Sequence, residues 1–287
     1  MTDTSRLVRH YVHCNLWALP DWSAAPRGED AQLAALSEAG VEMIQLSDFG
    51  APPTSMPHGR IARVDVPSDA DAVARRHRDE GTTITTLHVG TGMETDAEAD
   101  ALIGAVLEAG AKHDYPMPVE THRATVTQDP RRTLGLIERF PDLRINADLS
   151  HWYTGGEMRY GDFAARLDAL TPVFERVRYM HGRIGTPGLI QAALTGPDDA
   201  RQFVGDFREM WRRCAEGFLR TAEPDERLVF APELLPHAAT LDDGKGHQLF
   251  YYALEDEAGE ELSDRWQQAF WLFEIMKQAM ADAQGAT

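Results

Sequence analysis

Short β-rich runs alternate with longer helical patterns along almost the whole of this 287-residue chain. Such alternation is typical of βα units, in which helices join parallel strands. Seven strand-like runs can be placed, beginning with Val8–Leu16 and including Val41–Leu46 and Leu228–Ala231, and a clear helical pattern covers Thr95–His113. An eighth run, Ile61–Val66, follows a stretch too short and proline-rich for a normal helix. Together these runs predict an α/β fold, a single (β/α)₈ TIM barrel.

No linker or low-complexity tract divides the sequence, which predicts one domain covering residues 1–287. The stretch 240–262 contains the acidic run EDEAGEE and looks like a loop inserted before the last helix. It could be a solvated loop, a lid or a contact in a homo-oligomer.

Three features bear on location. No run of 18 apolar residues occurs, so we expect no membrane span. The opening segment MTDTSRLVRH lacks the apolar run of a signal peptide. The only cysteines, Cys14 and Cys214, lie far apart and favour two unpaired thiols in a reducing compartment. We therefore predict a cytoplasmic protein.

The chain is strongly acidic, with 28 Lys and Arg residues against 46 Asp and Glu residues and a formal net charge of −18. Such a surface repels a polyanion on average. The charge therefore disfavours nucleic acid as a partner and gives no support to a heavily phosphorylated ligand.

Four of the late strands end in a residue that can bind a metal. Glu120 follows Met-Pro-Val, Asp148 follows Arg-Ile-Asn-Ala, His181 follows Val-Arg-Tyr-Met, and Glu233 follows Leu-Val-Phe-Ala-Pro. In such a barrel the C-terminal strand ends point into one shared mouth. Each residue alone would more commonly be solvated, cap a helix or pack in the core. Together, the three carboxylates would repel one another unless they were protonated or neutralised, and one divalent cation would remove that cost.

An oxygen-rich ligand set with one imidazole favours Mn²⁺ or Mg²⁺, while Co²⁺, Zn²⁺ and Fe²⁺ remain acceptable. Glu120 and Glu233 are the candidate catalytic residues, because they could flank a substrate carbon on opposite faces. One would remove the proton alpha to a carbonyl held by the metal, and the other would return a proton. Which glutamate acts as the base depends on the stereochemistry of the substrate.

The segments VETHR, ADLSHW, YMHGRIG and APELLP together resemble the xylose isomerase-like superfamily. This superfamily includes sugar isomerases, ketose 3-epimerases, inosose dehydratases, hydroxypyruvate isomerases and the endonuclease IV group. The resemblance extends from Val8 to about Pro236 and is best from Val119 onward. It implies a TIM barrel with the Glu, Asp, His and Glu ligands already identified at the strand ends.

The resemblance also implies substrate-binding residues. His151, three residues after Asp148, matches an Asp-x-x-His pattern that holds a substrate oxygen or a second metal. Arg183 resembles an arginine that contacts substrate hydroxyls, and His88, in TLHVGTG, resembles a substrate-facing histidine. His13 could act in the same way. For His13 and His88 the alternative is a buried imidazole bonded to a neighbouring loop.

The residues and the resemblance predict a metal-dependent isomerase or epimerase that acts on a small sugar, ketose or polyol-derived carbonyl compound. Trp152 and Tyr153 could form a wall of its pocket. The first alternative is a dehydratase acting on a keto-sugar or inosose, in which a β-hydroxyl leaves. A phosphodiester hydrolase resembling endonuclease IV is disfavoured, because GRIGTPGLIQ after His181 lacks an Asp-x-His motif. A barrel that binds a sugar or metal without turnover is the non-enzymatic alternative.

Overall fold

Eight parallel strands form the centre of the computed structural model, which describes residues 5–48, 56–236, 238–240, 248–250, 256–257 and 261–286. In chain order they are β1 (Leu7–Val12), β2 (Met43–Ser47), β3 (His58–Val64), β4 (Thr85–Val89), β5 (Val119–Glu120), β6 (Ile145–Ala147), β7 (Val177–Gly182) and β8 (Leu228–Pro232). Each strand pairs with the next, and β8 pairs with β1, so that the barrel closes. The predicted (β/α)₈ fold is confirmed.

Helices cover the outside of the barrel. They are α1 (Glu29–Glu38), α2 (Pro67–Asp79), α3 (Asp96–His113), α4 (Pro130–Arg139), α5 (Leu149–Gly155), α6 (Phe163–Ala169), α7 (Thr171–Phe174), α8 (Gln202–Thr221) and α9 (Arg265–Ala286). Side-chain caps begin several of them: Thr95 accepts a hydrogen bond from the Glu98 amide, and Asp129 accepts one from the Arg132 amide. Among the described residues, no helix is long and apolar enough to cross a membrane.

Several predicted strands have different bounds in the structure, and two of these differences matter for the fold or the site. The eighth strand, predicted at Ile61–Val66, is β3 and begins at His58, where it pairs with Ile44 of β2. The predicted first strand, Val8–Leu16, is wrong beyond Val12, because His13–Leu16 forms a turn of 3₁₀ helix. His13 therefore lies after the strand rather than on it.

The inner and outer faces of the barrel strands carry different residues. Val8, Val12, Tyr179, Val229 and Ala231 pack together in one cluster. Their neighbours in the chain pack in the large core that also includes the helices. Because side chains alternate along a strand, the inward direction of Tyr179 also turns His181 toward the barrel axis.

The predicted insertion at 240–262 lies mostly outside the described residues. At its start, β9 (Ala238–Thr240) pairs antiparallel with β10 (Gln248–Phe250). Its interpretation as a solvated loop, a lid or an oligomer contact stays a prediction.

Candidate metal centre and active site

The ends of β5, β6, β7 and β8 bring the four predicted metal ligands together. Asp148, His181 and Glu233 offer ligand atoms that lie within 4.8 Å of one another. Nδ1 of His181 lies 3.2 Å from Oε2 of Glu120 and 3.7 Å from Oε2 of Glu233. All four side chains are buried. The four side chains therefore form one cluster of three carboxylates and an imidazole at the mouth of the barrel.

Gln45, on β2, fixes the orientation of the His181 ring. Its Nε2 donates to Oγ1 of Thr86 at 2.9 Å, which leaves Oε1 to accept a hydrogen bond at 2.7 Å from Nε2 of His181. When the His181 ring is neutral, as a metal ligand must be, this network places its proton on Nε2, and Nδ1 faces Glu120 and Glu233. No pattern in the sequence singles out Gln45.

Glu233 is held in place by Asn15, a buried residue of the turn after β1. Asn15 donates to the carbonyl of Pro232 at 2.8 Å and accepts from the amide of Leu234 at 2.8 Å, so it brackets Glu233 on both sides. Oε2 of Glu233 is buried and has no hydrogen-bond partner among the described residues. This carboxylate oxygen is thus available to a ligand or a proton.

Asp148 combines a helix cap with a place in the cluster. Its Oδ1 accepts from the amide and the hydroxyl of Ser150 at 3.0 and 2.5 Å and so begins α5. Its Oδ2 accepts from Nη2 of Arg183 at 2.5 Å. The same Arg183 nitrogen lies 2.9 Å from Nε2 of His151 and 3.4 Å from Oε2 of Glu233. Arg183, predicted to contact substrate hydroxyls, is therefore also part of an internal ion pair.

Burial and charge shift the pKa values of the cluster in opposite directions. Burial opposes ionisation of Glu120, but His181 and His88 hold the pKa of that carboxyl well below its usual value. Burial raises the pKa of Glu233, and the charges of Asp148 and Glu120 add to this effect. Burial opposes protonation of His181, yet Glu120 and Glu233 outweigh it and raise its pKa to about 9. Without a metal, a protonated His181 and Arg183 thus supply positive charge to the three carboxylates. The sequence had predicted that a metal alone would do so.

Three histidines lie above this cluster. Nε2 of His88 is 3.3 Å from Oε1 of Glu120. The His122 ring lies between those of His88 and His151, with centroid distances of 4.1 and 4.0 Å and the ring planes tilted by 31° and 55°. Burial lowers the pKa of His122 to about 2 and that of His151 well below its usual value. Both imidazoles are therefore neutral at pH 7.

A cavity of about 280 Å³ opens over the cluster. Its lining combines apolar and polar side chains, including Val12, Trp17, Ile61, Ile190, Leu235, His88, His122, His151, Arg183 and Glu233. Trp17 supplies the aromatic wall predicted for Trp152 and Tyr153. That prediction was wrong because Trp152 and Tyr153 are buried in the core, where they donate to the carbonyl of Thr127 and to Asp206 respectively.

His13 does not line this cavity. Its Nε2 lies 3.4 Å from a carboxylate oxygen of Glu29, at the start of α1. The structure thus brings His88, His151 and Arg183 to the predicted substrate pocket but directs His13 elsewhere.

The residues present fit a divalent cation. Glu233 has a buried oxygen without a hydrogen-bond partner among the described residues, and Gln45 leaves Nδ1 of His181 facing the carboxylates. Three carboxylates and one imidazole suit Mn²⁺ or Mg²⁺. Within the described part of the chain, the groups able to hold a metal all lie at this mouth.

No protein-family model matches the sequence, and no curated protein matches it significantly. Solved structures similar to this chain include a probable 3-DHS dehydratase, AsbF, involved in petrobactin synthesis in Bacillus anthracis. It is 13% identical, has a TM-score of 0.50, and the match covers 80% of this chain and 93% of that one.

Two further solved structures are similar at lower TM-scores. A sugar phosphate isomerase/epimerase from Parabacteroides distasonis is 10% identical over 96% of each chain, with a TM-score of 0.47. A xylose isomerase-like TIM barrel protein from Mycobacterium smegmatis, in complex with magnesium, is 12% identical over 88% of this chain and 78% of that one, with a TM-score of 0.43. At 13% identity, the likeness to the probable dehydratase shows a shared barrel fold and no more.

Proposed function

We propose that this protein is an enzyme that isomerises or epimerises a small sugar, ketose or polyol-derived carbonyl compound with the help of one divalent metal. The observation that carries the proposal is the convergence of Glu120 and Glu233 on Nδ1 of His181, at 3.2 and 3.7 Å. The two glutamates come from β5 and β8, which lie on different sides of the closed barrel. This arrangement favours proton transfer on two faces of a substrate held between them.

Glu120, Asp148, His181 and Glu233 would hold the metal, for which we favour Mn²⁺ or Mg²⁺ and accept Co²⁺, Zn²⁺ or Fe²⁺. When bound, a divalent cation polarises a carbonyl and an adjacent hydroxyl and stabilises the negative charge that develops as the neighbouring proton leaves. Gln45 and Asn15 keep the His181 ring and the Glu233 carboxylate in position.

Proton transfer falls to the two glutamates. One carboxylate takes the proton from the carbon next to the carbonyl, and the other returns a proton. Return to the opposite face of that carbon gives epimerisation, and return to the neighbouring carbon gives isomerisation. Oε2 of Glu233 supports such a role, since it is buried and accepts no hydrogen bond among the described residues.

The cavity indicates the size and chemistry of the substrate. A volume of about 280 Å³ suits a small molecule, and Trp17 offers an aromatic face to the apolar side of a sugar. We propose that His88, His151 and Arg183 contact its oxygens. A homo-oligomer is a further expectation, which light scattering of the purified protein would test.

Dehydration of a keto-sugar or inosose is the alternative outcome of the same first step. It occurs if a hydroxyl on the β-carbon leaves after the proton is removed. Product analysis separates the two, because isomerisation and epimerisation preserve the mass of the substrate whereas dehydration releases one water.

The proposal is tested by incubating metal-loaded protein with a panel of ketoses and inososes in heavy water and following deuterium incorporation by NMR. We expect exchange at the carbon next to the carbonyl, lost after chelation. Glu233→Gln should reduce the exchange rate at least about 100-fold, the usual scale for loss of a general acid or base. Glu108→Gln, on the exposed face of α3, is the matched control. An active Glu233→Gln variant would rule out the proton-transfer role.

A further inference from the structure

The wall of the cavity carries positive charge, although the chain as a whole has a formal net charge of −18. Among the described residues that line it are three arginines, Arg63, Arg123 and Arg183, and two carboxylates, Asp48 and Glu233. Arg183 and Glu233 belong to the buried cluster of candidate metal ligands and their ion pairs. Arg63 and Arg123 are therefore the outer arginines of the cavity, and we call these two residues the arginine rim.

Asp48, the acidic residue on the outer part of the wall, has its own positively charged partner. Its Oδ1 accepts a hydrogen bond from Nη2 of Arg76 at 2.6 Å and lies 3.0 Å from Nε2 of His77. Burial opposes the ionisation of Asp48, but the contacts with His77 and Arg76 outweigh it and lower the pKa of the carboxyl. The negative charge of Asp48 is thus balanced by Arg76 and does not cancel the charge of the arginine rim.

The arginine rim lies at the exposed end of the cavity, above the cluster. Arg123 is exposed and follows Glu120, which is only 1% exposed, by three residues. Arg63 is also exposed, and near the end of β3 it is paired in register with His88 of β4. A substrate whose reacting carbon lies at the buried carboxylates would therefore extend its other end toward these two arginines.

Local hydrogen bonds and a tight turn position the arginine rim. Nη2 of Arg63 donates to the carbonyl of Gly90, just after β4, at 2.7 Å. The carbonyl of Arg123 lies 2.5 Å from Nδ1 of His122, and the next residue, Ala124, has a φ of 55°. A non-glycine residue in the left-handed region costs free energy and is enriched where a functional group has to be positioned.

The chemistry of the arginine rim favours a carboxylate. A guanidinium is suited to oxyanions, because its planar N–H groups match two oxygens at once. Nη2 of Arg63 also lies 2.9 Å from Oδ1 of Asp65, an exposed ion pair that offsets part of its charge. A singly charged carboxylate therefore matches the remaining charge better than a doubly charged phosphate, and a neutral sugar would leave that charge without a counterpart in the cavity.

We propose that the arginine rim binds a carboxylate group of the substrate, so that the protein acts on a keto acid derived from a sugar or polyol rather than on a neutral ketose. The inference rests on the proposed function, for which it names the substrate class. The carboxylate end of the molecule contacts Arg63 and Arg123, while its carbonyl end lies between Glu120 and Glu233.

The test compares matched molecules by calorimetry of the Mg²⁺-loaded protein. Five- and six-carbon aldonates carry a carboxylate, and alditols of the same stereochemistry lack it. Neither has the carbonyl that the proposed reaction needs, so binding is measured without turnover. We expect the best aldonate to bind at least about tenfold more tightly than its alditol, the scale of one hydrogen bond between charged groups. The corresponding alditol phosphates should bind more weakly than the aldonates.

Variants assign this preference to the arginine rim. Arg63→Gln and Arg123→Gln should each reduce it at least about threefold, and the double variant should abolish it. Arg139→Gln is the matched control, because it removes an arginine whose Nη2 donates to Oδ1 of Asp100 at 2.7 Å outside the cavity. The control should keep the full preference. Circular dichroism checks the fold of each variant, and the lysine substitutions replace a glutamine variant that does not fold.

The outcomes separate this proposal from the proposed function. A preference that survives in the double variant means that the metal binds the carboxylate, and it overturns the role of the arginine rim. Equal or undetectable binding of aldonates and alditols overturns it as well, even if ketoses exchange deuterium in heavy water. Tighter binding of alditol phosphates overturns the assignment to a carboxylate. A preference that is lost in the double variant supports the arginine rim, even if no tested keto acid exchanges deuterium.

Discussion

Gln45 shows how a residue that is not itself a candidate ligand can fix the orientation of a proposed metal ligand, His181. Its side chain is buried inside the barrel and reaches His181, 136 residues later in the chain. Thr86 in turn fixes the orientation of the Gln45 amide. The network selects one tautomer of His181, and without it the ring could rotate or carry its proton on the wrong nitrogen.

Replacement of Gln45 by Leu should therefore weaken Mn²⁺ binding about 10–100-fold, the range seen when such supporting partners are lost. Equilibrium dialysis with elemental analysis measures the affinity. Gln45→Glu keeps an acceptor for Nε2 of His181 and should restore much of it. Equal affinity in Gln45→Leu and the parent protein would show that Gln45 does not position the ligand.

At the scale of elements, the turn after β1 supports the end of β8. Asn15 bonds both the carbonyl before Glu233 and the amide after it. Arg265, at the start of α9, donates to the carbonyls of Asn15 and Trp17 at 2.6 and 2.7 Å. Three separate elements are thus joined around Glu233, one of the two proposed catalytic carboxylates.

Asn15→Ala would leave a buried carbonyl and a buried amide without partners. We expect the free energy of unfolding to fall by about 1–3 kcal/mol for each unpaired group, measured by urea unfolding. Asn15→Asp keeps the acceptor for the Leu234 amide but places a buried carboxylate oxygen against the Pro232 carbonyl, so its free energy of unfolding should fall at least as far. A fully stable Asn15→Ala variant would mean that water replaces both hydrogen bonds.

Much of the barrel and the position of the four predicted ligands could be inferred from local patterns. Glu120, Asp148, His181 and Glu233 each follow a short apolar run, and the rule that parallel strand ends share one mouth is independent of distance along the chain. The short length of β5 has a local cause as well, because Pro116 and Pro118 have no N–H to donate.

The supporting residues could not be found in this way. Gln45 and Asn15 are ordinary polar residues until the barrel closes, and their partners lie 136 and 217 residues away. The ion pair between Arg183 and Asp148 could not be predicted either, because it depends on how the ends of β6 and β7 lie relative to each other. His13 lies away from the cavity for a local reason, since the chain turns into a 3₁₀ helix at that residue.

At the scale of the whole molecule, buried neutral histidines make stability depend on pH. His10 lies inside the barrel, with Nδ1 3.4 Å from the hydroxyl of Tyr179. Burial, with a contribution from the charge of Arg227, lowers its pKa from 6.5 to about 3. The folded protein keeps this imidazole neutral, whereas the unfolded chain binds a proton below about pH 6.5. The contribution of neutral His10 to the free energy of unfolding is therefore fully present above pH 6.5 and is lost as the pH falls toward 3.

Between pH 7 and 5.5 we expect His10 alone to lower the free energy of unfolding by about 1 kcal/mol. Urea unfolding of chelator-treated protein at the two pH values measures the change. His10→Gln removes the titrating group and should flatten the dependence by that amount, even if it lowers stability at both pH values. An identical pH dependence in the two proteins would show that His10 is not responsible.

The pairing of β1 with β8 also has a consequence for synthesis on the ribosome. β1 is synthesised first of the eight barrel strands, and the edge that pairs with β8 has no partner until β8, the last of them, follows. An unpaired strand edge is a site of aggregation. The nascent barrel is therefore most prone to aggregate just before β8 and Glu233 emerge. The last candidate metal ligand is thus synthesised directly after the strand that closes the barrel.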